Sequence, residues 1–130
     1  GVLAIAAAKL GAKSVIAFDN DPQAITATKQ NLQKNKCENI VKIRTTVNAN
    51  NYNVCDLLVA NILTNPLIEL APTFNNLLKQ NGVLILSGIL KEQCEKILNC
   101  YNQYLDSLEV LQKDEWCLVS GIKKTKISLT

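Results

Sequence analysis

Ser14-Val15-Ile16-Ala17-Phe18-Asp19-Asn20-Asp21-Pro22 passes through four apolar residues in succession, stops at a carboxylate, and then meets an aspartate followed by proline. A continuous apolar run of this length marks a strand covered on both faces, as in a parallel sheet. Asp21 is a natural helix N-cap, and Pro22 suits the first helical position, where its missing N–H costs nothing. The stretch therefore reads as a buried strand over 14–18, with a helix from 22 to about 35.

The same alternation extends in both directions. Residues 2–10 are almost entirely Ala, Leu, Ile and Val before Gly11, which reads as a buried helix closed by a C-terminal glycine. Ile40, Lys42 and Arg44 alternate with Val41 and Ile43, which suits an edge strand, and Leu57 to Ala60 is a second fully apolar strand that stops at Asn61. Asn65-Pro66 repeats the cap-plus-proline opening, and Pro72 should break or kink that helix before a second stretch ending near Lys79. Asn81-Gly82 signals a turn and Val83 to Leu86 a third buried strand. The spacing of Cys94, Ile97, Leu98 and Tyr101 predicts an amphipathic helix over 91–101. Two last strands, about 107–112 and 115–122, lie too close for a parallel crossover and should pair as an antiparallel hairpin. The pattern is that of a single α/β domain, a doubly wound sheet with an antiparallel edge.

Composition narrows the chemistry. The 130 residues are 48% hydrophobic, but no apolar run approaches the roughly 20 residues of a membrane span, and no basic flank marks a signal peptide. A cytoplasmic protein is expected. Five widely spaced cysteines without a C-x-x-C pair indicate neither a disulfide framework nor a zinc cluster. The absence of histidine removes the commonest general base and metal ligand. A net charge of +3 carried on scattered lysines, with 5% aromatic residues, does not form the clustered basic surface that nucleic acids require. A chain without methionine that opens on Gly1-Val2-Leu3 reads as a fragment of a longer protein.

Doubly wound sheets bind ligands at the carboxyl ends of their strands, which directs attention to Gly1, Asp19, Asn61 and Ser87-Gly88. A glycine turn followed about 20 residues later by an acid is the spacing at which a carboxylate accepts ribose hydroxyls, and Gly1 and Asp19 fit it. Asp19 could hold both hydroxyls in charge-assisted bonds, or it could be a helix-capping or solvated strand-end aspartate. Asp21 is better explained as a helix cap. Asn61 offers two donors and an acceptor to a ligand, or serves as a turn residue before Asn65-Pro66. The glycine-to-acid spacing also suits a nicotinamide-dependent oxidoreductase, and a non-catalytic remnant or interaction domain is a third reading.

Gly1-Val2-Leu3-Ala4-Ile5-Ala6-Ala7-Ala8-Lys9-Leu10-Gly11-Ala12, Asp19-Asn20-Asp21-Pro22-Gln23-Ala24, Val59-Ala60-Asn61-Ile62-Leu63 and Leu86-Ser87-Gly88-Ile89-Leu90 closely resemble the ribosomal protein L-eleven methyltransferase family. The resemblance continues through Asn65 to Pro72 and on to Glu115-Trp116, over essentially the whole chain. It implies a Rossmann-like class I methyltransferase sheet, mostly parallel with a C-terminal antiparallel hairpin, and with its first strand missing. The implied activity is methyl transfer from S-adenosylmethionine to lysine side chains and the N-terminal amine of a large-subunit ribosomal protein, L-eleven. The implied enzyme is monomeric and needs no metal, nucleic acid or membrane. Gly1 matches the last glycine of the family's cofactor loop, Asp19 its ribose-binding acid, and Asn61 an asparagine at the active-site end of the fourth strand, with cofactor-binding and catalytic roles.

Residues 1–130 would then be a partial catalytic domain without the family's N-terminal substrate-recognition domain. Gln80-Asn81-Gly82 replaces a more usual proline-glycine turn, and Thr45-Thr46 stands where many methyltransferases place an acid for the adenine amino group. In the family's sheet the missing strand lies between those ending at Asp19 and Asn61. Its loss should expose two buried edges and separate the two residues, leaving this segment alone prone to aggregate, weak in cofactor binding and inactive.

Overall fold

A computed structural model of the chain describes residues 2–19, 21–45 and 52–125. The elements are α1 (Val2–Lys9), β1 (Val15–Asp19), α2 (Pro22–Lys34), β2 (Val41–Arg44), β3 (Cys55–Asn61), α3 (Thr64–Glu69), α4 (Ala71–Leu77), β4 (Leu78–Leu90), a 3-10 turn (Lys91–Gln93), α5 (Cys94–Tyr101), β5 (Leu105–Lys113) and β6 (Trp116–Lys123). The strands form one sheet in the order β2-β1-β3-β4-β6-β5. The first four run parallel, and β6 lies antiparallel to both β4 and β5.

The apolar runs are explained by burial on both faces. Val15, Leu57 and Val59 pack with Ala4 and Ala8 of α1 and Leu32 of α2. The alternate residues Phe18, Leu58 and Ala60 pack with Leu67 of α3, Phe74 of α4, and Ile97 and Tyr101 of α5. Side chains alternate across a strand, so one short run supplies both cores, and each fully buried large apolar side chain contributes about 1.5–3 kcal/mol. The Tyr101 hydroxyl, buried with its ring, donates to the Leu67 carbonyl and joins α5 to α3.

Most sequence expectations hold. Asp21 caps α2, its carboxylate accepting from the Gln23 N–H at 3.0 Å. Gly11, at φ +104, follows the last turn of α1. Pro72 divides the helical run, with Leu70 serving as C-cap of α3 and N-cap of α4, because Pro72 has no N–H to continue the ladder.

Other expectations are corrected. Asn65 does not cap α3. The helix starts earlier, with Leu63 as an N-cap that makes no side-chain bond, and Pro66 falls in the first turn, where N–H groups have no helical partner. The strand expected at Val83 begins at Leu78, and the Asn81-Gly82 turn lies inside it. Cys55 pairs with Leu78 and Leu57 with Val83, so the extra residues of β4 bulge out, with Asn81 at φ +63.

The largest correction concerns the centre of the sheet. Among the described residues no strand separates β1 from β3. They pair directly, from Val15 with Leu57 to Asp19 with Asn61, so the two residues are brought together rather than separated. Two apolar strands that would each leave a row of unpaired N–H and C=O groups satisfy those groups against one another. Among the described residues no helix is long and apolar enough to cross a membrane.

Candidate functional site

The direct pairing of β1, β3 and β4 sets three polar side chains in one row. Asp19 stands opposite Asn61, and Asn61 opposite Ser87, each at or near the carboxyl end of its strand. Neighbouring strands lie about 4.8 Å apart, so the row spans roughly 10 Å, a suitable length for a ligand carrying several polar groups. Two residues back on each strand, and therefore on the same face, stand Ala17, Val59 and Ile85.

Beside this row lies a cleft of about 230 Å³. Ala17, Val59 and Ile43 contribute from the sheet, Leu3 and Ala4 from α1, and Ile25 and Thr28 from α2, with Asp19, Asn61 and Ser87 along the rim. Small-molecule pockets run to roughly 300–1,000 Å³. The cleft therefore has room for about the nucleoside portion of a larger ligand.

Each polar group has a distinct local setting. Asp19 Oδ1 accepts from the Asp21 N–H at 3.0 Å, which orients the carboxylate and leaves its second oxygen for a ligand. Asp21 is occupied in capping α2. The Asn61 side chain is exposed at the strand end, with donors and an acceptor available. Thr28 is buried and its hydroxyl donates to the Ala24 carbonyl at 2.8 Å, so it presents mainly a methyl surface to the cleft. Gly1, the third residue assigned to cofactor binding from the sequence, lies outside the described residues, as does Thr46.

Sequence reasoning picked out Asp19 and Asn61, and the structure brings them side by side. It gave no role to Ser87, although that residue ends an apolar run just as Asp19 and Asn61 do. Ile25 and Thr28 were also missed, yet Thr28 lies one helical turn before the buried Leu32, a spacing that marks the face of α2 turned toward the sheet.

Comparison with known proteins identifies the family of this fold. The family model described as ribosomal protein L11 methyltransferase (PrmA) matches residues 1–124. A ribosomal protein L11 methyltransferase of Vibrio cholerae is 45% identical over 123 residues, covering 95% of this chain and 42% of that protein. The crystal structure of a ribosomal protein L11 methylase from Lactobacillus delbrueckii subsp. bulgaricus superposes with a TM-score of 0.74 at 32% identity, covering 96% of this chain and 65% of that one. An RNA methyltransferase from Salinibacter ruber, solved in complex with S-adenosyl-L-homocysteine, shares the fold at a TM-score of 0.60 and 13% identity, over 98% of this chain and 77% of that one. The chain spans less than half the length of the curated relatives it matches. The sheet is thus Rossmann-like and of the methyltransferase type, and the family match decides against the oxidoreductase reading. The chain belongs to the ribosomal protein L11 methyltransferase family.

Proposed function

We propose that the full-length protein methylates amino groups of ribosomal protein L11, its lysine side chains and N-terminal amine, with S-adenosylmethionine as methyl donor. The observation that carries this reading is the row of Asp19, Asn61 and Ser87 over an apolar-walled cleft, in a chain of this family. The donor set fits the cofactor. Asp19 has an oriented carboxylate for ribose hydroxyls, the apolar walls suit a nucleoside, and Asn61 offers an amide to the methionine end or to the incoming amine. Gly1, at the family's loop position, completes the cofactor-binding set. The neighbour that binds S-adenosyl-L-homocysteine on the same fold supports this choice of ligand.

When bound, S-adenosylmethionine supplies a methyl group on a cationic sulfur, open to in-line displacement by a neutral amine. The work left to the protein is alignment, which can account for several orders of magnitude in rate. Lysine has an unperturbed pKa of about 10.4, so the target amine must lose its proton on entering the site, and burial beside apolar walls favours the neutral form. Asn61 can accept a hydrogen bond from the amine through Oδ1 and direct its lone pair without removing a proton. A chain without histidine is compatible with this division of labour. We place the enzyme in the cytoplasm, as a monomer that contacts its protein substrate without nucleic acid or a membrane.

Asn61→Ala in the full-length enzyme is expected to lower methyl transfer roughly 10- to 100-fold with the thermal midpoint unchanged. Wild-type turnover in that variant removes Asn61 from the site.

A further inference from the structure

Gly88 follows Ser87 on β4 and takes φ +76, a left-handed conformation that side chains disfavour. A Cβ placed on it would stand 2.5 Å from Asn61 Oδ1 and 3.7 Å from Asn61 Cγ, whereas real Cβ atoms essentially never come within 3.0 Å of another heavy atom. The carbonyl end of the Asn61 amide therefore occupies the space that a side chain at position 88 would fill. An asparagine amide turns about a broad terminal torsion, and Asn61 is exposed at a strand end, so its own strand does not fix its direction. The two backbones around this contact are tied together: Thr64, just after the Asn61 turn, donates its hydroxyl to Gln93 Oε1 at 2.6 Å, just after β4.

We propose that Gly88 is a positioning residue for methyl transfer, acting by seating the Asn61 side-chain oxygen against its bare Cα and so aiming the amide over the cleft. The inference rests on the reading of Asn61 as a site residue. Any side chain at position 88 must push Oδ1 away by about 0.5 Å, from 2.5 to at least 3.0 Å, and rotate the amide. The atom that yields is the end of an exposed side chain, so the displacement falls on the direction of the amide more than on the packing of the sheet.

The test uses the full-length enzyme with Gly88→Ala, Asn61→Ala and the double variant, together with the side-chain amide NMR signals of Asn61. Gly88→Ala is expected to shift those signals and to lower turnover roughly 10- to 100-fold, yet to change turnover less than about twofold in the Asn61→Ala background, because coupled residues are non-additive. Backbone strain at φ +76 is the same in both backgrounds, so an equal fold-loss in each would assign the effect to the backbone and overturn the inference. Unmoved Asn61 signals in Gly88→Ala would overturn it while leaving Asn61 in the site. Full turnover in Asn61→Ala would instead remove Asn61 and the inference with it.

Discussion

One oxygen of Asp19 is held by the Asp21 N–H, so the proposed ligand would meet a carboxylate that is already oriented and loses less side-chain entropy on binding. Other polar and titratable groups serve the core. Cys55 is fully buried, its thiol donating to the Leu77 carbonyl at 3.3 Å. Burial, reinforced by the neighbouring Asp56 charge, raises its pKa from 9.0 to about 11. A folded-state pKa above the unfolded value gives stability that is complete below the unfolded pKa and is lost as pH rises through the folded one. The fold should therefore weaken between about pH 9 and 11, by as much as about 3 kcal/mol from this thiol. Burial pushes the Tyr101 hydroxyl up as well, which adds to the alkaline loss. Denaturant midpoints measured across that range should fall for the wild type and fall less steeply for Cys55→Ala. Equal slopes would show that the thiol stays protonated in both states or ionises in both alike.

At the level of elements, the β1-to-α2 turn divides two aspartates by task. Asp21 closes the N-terminus of α2, and Asp19 faces the cleft. Asp21→Ala should cost about 1 kcal/mol of stability and leave S-adenosylmethionine affinity close to wild type. Asp19→Ala should do the reverse, weakening binding by roughly 10- to 100-fold, the loss of one or two hydrogen bonds to a charged group. Calorimetry and thermal melting on the same pair of variants separate the two roles, and matching profiles would refute the division. The Thr64–Gln93 bond works at this scale too, since it couples the segments that follow β3, which ends at Asn61, and β4, which contains Gly88.

For the molecule as a whole, the order of strands predicts where it opens. Among the described residues β1 and β3 are bonded on both sides, whereas β2 and β5 each have one neighbour. Amide hydrogen exchange follows local opening, so the amides of Val15–Asp19 and Leu57–Asn61 should exchange slowest and those of Val41–Arg44 and Leu105–Lys113 faster. Rapid exchange along facing edges of β1 and β3 would contradict their direct pairing, and with it the close approach of Asp19 to Asn61.

The strands, most helices, the closing hairpin and the strand-end places of Asp19 and Asn61 were legible in the residues themselves, because apolar runs, caps and prolines act over a few positions. Where signals competed locally, the reading slipped: Asn65-Pro66 resembles a cap that the chain places two residues earlier, and Asn81-Gly82 resembles a turn that β4 absorbs as a bulge. Which strands lie side by side, and hence that Asp19, Asn61 and Ser87 form one row, depends on pairings between residues 42 and 26 positions apart. Those pairings form because buried backbone groups must find partners, a demand met across the whole sheet. The seat of Asn61 against Gly88 belongs to the same level, since it exists only once β3 and β4 are neighbours.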